Sequence, residues 1–529
     1  MYYEENFWSN YGNNLCNMHN GGVQPLISDI SVSAATYRFS DELSYGDYLK
    51  YEKVDEDDDG TYDYIEITDC NESATEIEIP SEIDGLKVTE IRSYAFSDCT
   101  NLTSVNIPDS VTDIEFDAFS GCENLSDIEV AAENKNYISI DGVLFNKDKT
   151  KLIQYPIGNL RTKYNIPNSV TTVNVDAFSG CTSLASINIP DGMTFIGSDA
   201  FSGCTNLTSI NIPDGVRSID FGAFSGCTSL ASINIPDSVT SIESSVFYNC
   251  ESLTSINIPD SVKTIDNYAF CDCKSLTSIN IPDSVTSIGE GVFSGCTNLT
   301  SINIPAGVTS IGWAVFYNCT NLTNVNIPDS VTSIEEGAFF GCVNLTSINI
   351  PSGVTSIGGS AFYNCTSLTN INIPNSVTYI DSRAFEQCTS LTNVNIPNSV
   401  TNIEEGAFIH CTDLESIIIR NPDCVIYDDK KTISNGYDSE KGGYYFDGTI
   451  YGYENSTAQA YAEKYSYEFK IIGDLNGDGT VSSADAVLMN EFLTNSETSQ
   501  DILTAVADMN GDGVINVFDL IILKRSLLS

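Results

Sequence analysis

Two twelve-residue segments near the end of the chain carry the residue types that could do chemistry. They read DLNGDGTVSSAD at 474–485, here loop 1, and DMNGDGVINVFD at 508–519, here loop 2. Each places oxygen-bearing side chains at positions 1, 3, 5 and 12 and glycine at position 6, the EF-hand arrangement that wraps a hard cation such as Ca²⁺. The predicted ligands are Asp474, Asn476, Asp478, the Thr480 carbonyl, Ser482 or a water, and Asp485 in loop 1, and Asp508, Asn510, Asp512, the Val514 carbonyl, Asn516 and Asp519 in loop 2.

The elements around the loops follow one arrangement. A strand-like stretch, EFKII, leads into loop 1, and a helix is predicted after each loop, at 484–493 and 518–528. Both loops end in aspartate, where an ordinary EF-hand has a bidentate glutamate. This duplicated loop and helix at the C-terminus resembles a type I dockerin over 474–529. The resemblance implies a small all-α domain that binds two Ca²⁺ ions and then docks into a cohesin module of a scaffoldin, the framework of a cellulosome.

The same resemblance implies where the cohesin binds. Dockerins use positions 10 and 11 of each loop and the helix that follows. Those residues are Ser483, Ala484, Asn490 and Glu491 in the first half, and Val517, Phe518, Lys524 and Arg525 in the second. The two halves are not chemically equivalent, so we expect one of the two faces to bind the cohesin instead of both interchangeably.

The middle of the chain repeats with a period of 23 residues. Thirteen of the 17 cysteines fall on this period, at 99 and 122 and then at every twenty-third residue from 181 to 411. In the unit AFSGCTNLTSINIPDGVRSID (200–220), Leu207, Ile210 and Ile212 alternate with polar residues, the pattern of a half-buried strand. Pro213 then ends the strand, because proline cannot donate to a sheet. The period predicts coils stacked about 4.8 Å apart over continuous ladders of buried side chains.

This unit, A-F-x-x-C-x-x-L-x-x-I-x-I-P, closely resembles the BspA-type leucine-rich repeats of bacterial surface and secreted proteins. The resemblance covers roughly 76–423 and implies a mainly β, leucine-rich-repeat solenoid used for binding, with no chemistry of its own. The predicted organisation is an N-terminal segment and hairpin cap at 1–75, repeats at 76–425 with a hairpin insertion near 131–160, a C-terminal cap at 426–472, and the dockerin at 474–529. Residues 1–45 show no clear period.

Other reactive residues have simpler explanations. Each lattice cysteine lies between a buried phenylalanine and a buried leucine, so we interpret these cysteines as free, buried thiols. One or two disulfides among Cys16, Cys70, Cys271, Cys273 and Cys424 remain open. The chain has two histidines, and a Cys411–His410 nucleophile pair is sterically poor, so a surface histidine is expected at 410. The acidic turn DEDDDG (55–60) is interpreted as solvated, without the ligand spacing of the C-terminal loops. The regular Ser/Asn strand face offers no perturbed acid, which argues against catalysis.

One aromatic position recurs two residues before the cysteine. Tyr317, Phe340 and Tyr363 occupy it in three consecutive coils, and Tyr248 occupies it earlier. We expect the three rings to form an exposed row with steps of about 5 Å, which could stack sugars or anchor a protein. The alternative is that the rings only cover a turn.

Composition narrows the class of partner. With 23 Lys and Arg against 72 Asp and Glu, the net charge is −49, so nucleic acid and anionic membranes are poor partners. No apolar stretch reaches the roughly 18 residues of a membrane span, and no secretory signal opens the sequence. The sequence favours a secreted or cell-surface, non-catalytic cellulosome subunit whose repeats bind a protein or polysaccharide. The alternatives are a dockerin-borne enzyme or protease inhibitor, or an adhesin.

Overall fold

A computed structural model describes residues 43–440, 442–494 and 504–528. Within this part the chain divides into two units. The first comprises 43–239, 243–253 and 270–272, and the second comprises 240–242, 254–269 and the described residues from 273 to 528. Each unit holds stacked repeat coils, so the predicted β-solenoid is confirmed.

Each regular coil consists of two short strands joined by turns. In the coil at 200–220, Leu207, Ile210 and Ile212 are buried while Ser209 and Asn211 are exposed, as the alternation predicts. Where the period is regular, strands of neighbouring coils pair in parallel with residues 23 positions apart, for example Ile210 with Ile233. The core is therefore a set of ladders, each made of one residue type repeated from coil to coil.

In the first unit the strands form two rows. The first row is Glu76–Glu78, Ser104–Ile107, Asp127–Val130, Lys163–Asn165, Ser186–Asn188, Ser209–Ile210 and Ser232–Ile233. The second row is Leu86–Ile91, Asp113–Ile114, Thr172–Val173, Phe195–Ile196 and Ser218–Ile219.

The second unit repeats this arrangement. Its first row is Ser301–Asn303, Asn324–Asn326, Asn370–Asn372, Asn393–Ile396, Ser416–Ile419, Thr449–Gly452 and Glu468–Ile471. Its second row is Ser241–Ile242, Thr264–Ile265, Ser287–Ile288, Ser310–Ile311, Ser333–Ile334, Ser356–Ile357, Tyr379–Ile380, Asn402–Ile403 and Val425–Ile426.

Aromatic rings and thiols fill the side of each coil opposite its strands. Phenylalanine rings stack from coil to coil, with centroids 5.3 Å apart for Phe201 and Phe224 in the first unit and 5.3 Å for Phe339 and Phe362 in the second. The thiols of most regular coils donate to a phenylalanine carbonyl, as Cys204 does to Phe178 at 3.2 Å. All 16 cysteines within the described ranges are free and buried, so the thiol interpretation is confirmed there, and no disulfide joins the described off-lattice cysteines. Cys16 and His19 lie outside the described residues.

Antiparallel strands occur where the period breaks. The N-terminal sheet pairs Leu43–Tyr45 with Leu49–Val54, and Leu49–Val54 with Tyr64–Cys70, so a hairpin turns through the acidic segment as expected. Glu82–Ile83 pairs with Leu86–Ile91. The insertion forms Tyr137–Ile140, Val143–Asn146 and Lys151–Gln154, of which the last pairs in parallel with the following coil.

The end of the second unit contains the helices. After a small hairpin, Gly436–Asp438 with Gly443–Tyr445, helix α1 spans Thr457–Tyr465, and the Ser456 hydroxyl accepts from the Gln459 N–H as its N-cap. Helix α2 spans Ser483–Thr494, α3 Thr504–Ala507 and α4 Val517–Ser526, so the two predicted helices after the loops are present. No helix among the described residues is long and apolar enough to cross a membrane.

Candidate functional site

Loop 1 is built around its first aspartate. Asp474 Oδ1 accepts the Gly477 N–H at 2.8 Å and Oδ2 accepts the Gly479 N–H at 2.8 Å. Asp478 Oδ1 accepts the Thr480 hydroxyl at 2.7 Å, and this bond lowers the pKa of Asp478. Gly479 has φ +87°, a conformation that glycine adopts without strain. Donors of the loop itself therefore hold these two carboxylates in place.

Loop 2 repeats the same bonds. Asp508 Oδ1 accepts the Gly511 N–H at 2.7 Å and Oδ2 accepts the Gly513 N–H at 3.1 Å. Asp512 Oδ1 accepts the Val514 N–H at 2.8 Å, the counterpart of Asp478 with Thr480. The two loops thus share one backbone design, as their matching spacing predicts.

The twelfth-position aspartates close each loop. Asp485 is fully buried and accepts from the Asn476 N–H at 3.0 Å and from the Ser482 N–H at 2.8 Å. Asp519 is equally buried and accepts from the Asn510 and Asn516 N–H groups at 3.1 and 2.7 Å. Each aspartate also stands in the first turn of its helix, where a negative charge is favoured. It therefore ties loop and helix into one piece.

The donor set suits Ca²⁺. The predicted ligands are carboxylate, amide, hydroxyl and carbonyl oxygens, and no sulfur or imidazole stands among them. Hydrogen bonds within each loop join some of the predicted residues, as the Asn476 amide donates to Asp478 and the Asn510 amide to Asp512, both at 2.8 Å. They can hold a hard cation that neutralises carboxylates otherwise left to repel one another.

Loop 2 differs from loop 1 in having a cation of the chain beside it. The Arg420 guanidinium, from the end of the repeats, donates from Nη1 to the Asp508 carbonyl at 2.7 Å and from Nη2 to Asp508 Oδ2 at 3.3 Å. Both side chains are only 6% exposed, and Arg420 Nε also donates to Asn395 Oδ1 at 2.9 Å. A Cβ at Gly511 would lie 2.6 Å from Arg420 Nε, so glycine permits this approach. Sequence reasoning missed Arg420 because 88 residues separate it from Asp508.

Loops 1 and 2 lie over a shared core. Met489 of α2 and Leu523 of α4 are fully buried, and they cluster with Tyr451 and Ile472 from the end of the repeats. The Gly473 N–H donates to the Val506 carbonyl at 2.9 Å. The helical domain therefore packs on the last coils of its own unit.

All eight residues expected to contact the cohesin are exposed. The structure adds two apolar residues on the same helix faces, Val487, 56% exposed, and Ile521, 40% exposed. They lie three residues after Ala484 and Phe518 and occupy equivalent places, 34 residues apart. That spacing between the halves was the signal that could have found them.

The acidic turn in the N-terminal hairpin departs from expectation. Asp55, Asp57 and Asp59 have the spacing of the first three ligands of loop 1, and Gly60 follows them. Asp55 accepts the Asp59 and Gly60 N–H groups at 3.1 and 2.8 Å, as Asp474 does in loop 1. Carboxylate oxygens of Asp55, Asp57 and Asp63 lie within 4.8 Å of one another. The prediction that this turn lacks the ligand spacing is therefore wrong, although its carboxylates are largely solvated as expected.

The aromatic row is present in the second unit. Ring centroids are 4.6 Å apart for Tyr317 and Phe340 and 4.4 Å for Phe340 and Tyr363, with interplanar angles of 14° and 2°. Tyr317 is buried, however, which corrects the expectation of three exposed rings. The rings cover one another face to face because the distance between neighbouring coils is close to the separation of stacked aromatic rings. The row therefore offers mainly ring edges to a ligand.

The remaining reactive groups are a histidine, the ladder thiols and two aspartates of the repeats. His410 is half-buried, its ring lies 5.8 Å from Tyr444, and burial lowers its pKa, so it is less a surface residue than expected. Burial raises the pKa of Cys204 to about 12, as a structural thiol requires. Two acids with raised pKa values lie in turns of the coils, outside the Ser/Asn strand face for which no perturbed acid is expected. In the first unit, burial raises the pKa of Asp176 to about 8 and that of Asp199 to about 6, with the charge of Asp117 adding to both shifts.

Comparison with known proteins agrees with both halves of this architecture. The family described as BspA type leucine rich repeat region matches at 68–162, 158–277, 263–368 and 309–429, and the type I dockerin domain matches at 472–528. No curated protein is similar enough to count as a relative.

Solved structures of leucine-rich repeat proteins are similar to this chain. A leucine-rich repeat protein from Bacteroides ovatus ATCC 8483 is 27% identical, with a TM-score of 0.52 over 82% of this chain and 100% of the other. A leucine rich cell surface protein from Faecalibacterium prausnitzii A2-165 is 28% identical over 74% of this chain and 96% of the other, with a TM-score of 0.40. The chain belongs to the BspA-type leucine-rich repeat family and carries a type I dockerin domain at its C-terminus.

Proposed function

We propose that this protein is a secreted, non-catalytic cellulosome subunit whose dockerin binds a scaffoldin cohesin in the presence of calcium. The observation that carries the proposal is the pair of matching loops, each followed by a helix with an exposed face. Two Ca²⁺ ions, one in each loop, would hold those helices in position. The repeats would then present a binding surface to a protein or polysaccharide.

We infer that the second half of the dockerin supplies the main cohesin face. Phe518 is 63% exposed and stands with Val517 and Ile521, beside two cations, Lys524 and Arg525. An exposed aromatic ring among apolar neighbours is the usual anchor of a protein interface. The first half offers Ser483, Ala484, Asn490 and Glu491, which provide less apolar area. The unequal halves favour one orientation of binding.

The aromatic row Tyr317, Phe340 and Tyr363 is our candidate for a ligand stripe on the repeats. Its support is its continuity through three coils and its partly exposed edges. Edge-on contact suits an apolar protein side chain better than the face of a sugar ring, because sugars stack on ring faces. A protein is therefore the ligand that the row fits better.

Titration with a panel of type I cohesin modules tests the docking proposal. In millimolar Ca²⁺ at least one cohesin should bind the full chain. The double variant Asp485→Ala/Asp519→Ala should lose that binding, because the loops then lack a buried ligand that also ties loop to helix. Asp423→Ala, which removes an exposed carboxylate of the repeats, is the matched control and should bind as the wild type. Equal binding by the double variant would refute the role of the loops.

A further inference from the structure

The first unit contains one irregular coil that neither the dockerin nor the aromatic row explains. Between Cys122 and Cys181 the spacing is 59 residues instead of 23. Strand Asp113–Ile114, before the insertion, pairs with Leu86–Ile91 and with no other described strand. Strand Thr172–Val173, after the insertion, pairs on both of its edges. The second row of strands is therefore interrupted beside Asp113–Ile114.

Two side chains of the insertion bond to the backbone at this break. The Tyr137 hydroxyl accepts the Ile114 N–H at 3.0 Å, and the Asn136 amide donates to the Thr112 carbonyl at 2.9 Å. Tyr137 is 8% exposed, and burial raises its pKa to about 12, so the hydroxyl keeps its proton at neutral pH. No described residue accepts that proton. A ligand that brings an acceptor would therefore gain a hydrogen bond here.

A cavity of about 440 Å³ opens at the break, and we call it the insertion pocket. Its volume lies within the roughly 300–1,000 Å³ of small-ligand sites. Tyr137 lines it, and so do three lysines, two aspartates and an asparagine, which are Lys135, Lys147, Lys151, Asp113, Asp148 and Asn174. Lys147 and Lys151 are half-buried, and Lys135 is exposed. The pocket is therefore polar and rich in cations.

The three lysines have no carboxylate partner. None of them forms an ion pair with a described residue, although Asp113 and Asp148 line the same pocket. Lys147 Nζ donates only to backbone carbonyls, those of Ala132 and Asn134. The chain has 72 acidic residues against 23 basic ones, so partners for three lysines are abundant in the sequence. Their positive charge stays available to a ligand.

The surrounding segment concentrates the same charge. Residues 134–163 contain six of the 23 Lys and Arg of the chain and two of its 72 Asp and Glu. At physiological ionic strength exposed charges act over about 8 Å, so this local excess outweighs the net charge of −49 at the pocket. The insertion is a positive patch on an acidic protein, and we expect it to attract anions.

The other polar groups of the pocket favour one class of anion. Asp113 and Asp148 are exposed, and an ionised carboxylate can only accept hydrogen bonds. The half-buried Asn174 amide makes no side-chain hydrogen bond to a described residue. An acidic peptide side chain brings only acceptors, and the two aspartates would repel it. A sugar acid brings a carboxylate for the lysines and also hydroxyl groups that donate to aspartate and asparagine oxygens.

We propose that the insertion pocket binds a uronic acid residue of an acidic polysaccharide. Lys135 and Lys151 would pair with the sugar carboxylate. Asp113 and Asp148 would accept from its hydroxyl groups, and the Tyr137 hydroxyl would donate to a sugar oxygen. This inference rests on the proposed binding role of the repeats and names one class of ligand for it. The aromatic row of the second unit is a different site.

Isothermal titration calorimetry on the full chain tests the proposal without any cohesin, so a failure of docking cannot affect the result. The probes are methyl glucuronoside, methyl galacturonoside, methyl glucoside, Nα-acetyl-glutamate methylamide and inorganic phosphate, all in 0.15 M NaCl. Lys135→Gln/Lys151→Gln is the test variant. Lys149→Gln/Lys163→Gln is the matched control, because it removes two exposed lysines of the same segment that do not line the pocket.

The expected result is binding of at least one uronoside, an affinity loss of about tenfold or more in the test variant, and no loss in the control. The glucoside lacks the carboxylate and should bind about tenfold more weakly than that uronoside. Circular dichroism confirms that the test variant is folded. If it is not, Lys135→Gln alone, at an exposed position, should lose about threefold and decides the matter.

Four results would overturn the proposal. They are absence of uronoside binding, equal binding by the test variant, an equal loss in the control, and preference for the glutamate probe or for phosphate. Cohesin binding that persists when the uronosides fail to bind would leave the docking proposal intact, so the two failures can be told apart.

Discussion

The repeat region and the dockerin domain obtain their order in opposite ways. In the repeats, each ring, thiol and strand residue meets its own copy one coil away, as Phe201 meets Phe224 at 5.3 Å. In the dockerin, the buried carboxylates of Asp485 and Asp519 organise two short loops and one small core. A uniform ladder spreads its stability over many equal contacts, whereas the dockerin concentrates it at a few acidic positions. Function in this chain is therefore expected where the uniformity ends.

The largest predicted difference between the two regions is their response to calcium. Removing Ca²⁺ should unfold or loosen 474–528 while the repeats stay protected, because loop carboxylates repel one another without a cation and the ladders contain no such group. Hydrogen exchange measured with and without EGTA checks this. Protection in α2 and α4 should fall by orders of magnitude, and protection in the strands at 301–396 should not change. Equal loss in both regions would contradict the comparison.

The contact between Arg420 and Asp508 joins the two regions, so breaking it should affect loop 2 more than loop 1. Arg420→Ala leaves the buried Asp508 carboxylate without this cation and should destabilise the dockerin by about 2–4 kcal/mol at limiting calcium. Thermal unfolding monitored by circular dichroism measures this loss. Lys470→Ala is the control, because its ion pair with Glu468 is exposed and contributes about 0–1 kcal/mol. A similar loss of thermal stability in the Arg420→Ala and Lys470→Ala variants would show that the contact with Asp508 does not stabilise the dockerin more than an exposed ion pair does.

The two halves of the dockerin should differ in binding energy. Phe518→Ala/Ile521→Ala should weaken cohesin binding by about 2 kcal/mol or more, because an exposed aromatic anchor is lost. The equivalent change in the first half, Ala484→Ser/Val487→Ala, should cost less than about 0.5 kcal/mol. Calorimetry with one cohesin compares them. If the first-half variant loses more affinity, the assignment of the main face must be reversed.

The smallest predicted effect lies in the irregular coil. A carboxyl whose folded pKa is raised from 3.8 to about 8 contributes stability below pH 4 that is lost as pH rises through 8. Asp176→Asn mimics the protonated acid, so the variant should be more stable than wild type by about 1–2 kcal/mol at pH 9 and nearly equal to it at pH 4. Thermal melts at the two pH values measure the difference. Wild-type stability that does not fall from pH 4 to pH 9 would disprove the shift.

The features that could be predicted from the sequence are those that recur at a fixed spacing. The coil design, the thiol ladder and the loop ligands all follow from residue types at fixed spacing, because a local pattern dictates each of them. Arg420 was not predictable, since nothing in the local sequence says which side chain meets Asp508 across the fold. The burial of Tyr317 beside the less buried Phe340 depends on neighbours within the coil that the period does not distinguish.

The irregular coil between Cys122 and Cys181 shows a different limit of sequence reasoning. The 59-residue spacing reveals that a coil is atypical, but the local sequence does not show that Tyr155 takes the place of the ladder phenylalanine beside Phe178. The prediction for the acidic turn at 55–60 was wrong for a simpler reason. Its spacing matches that of loop 1, so the sequence itself contains the signal.

The most direct test of the docking account is one titration of a bound cohesin with chelator and then with calcium. The titration starts with a cohesin bound to the full chain in about 1 mM Ca²⁺, a concentration at the upper end of the dissociation constants of extracellular calcium modules. EGTA is then added in excess over calcium, and CaCl₂ is afterwards added in excess over EGTA, while cohesin binding is monitored. The account predicts that binding disappears with EGTA and returns with calcium, while the circular dichroism of the repeats remains constant. Cohesin affinity that is unchanged in EGTA would contradict it.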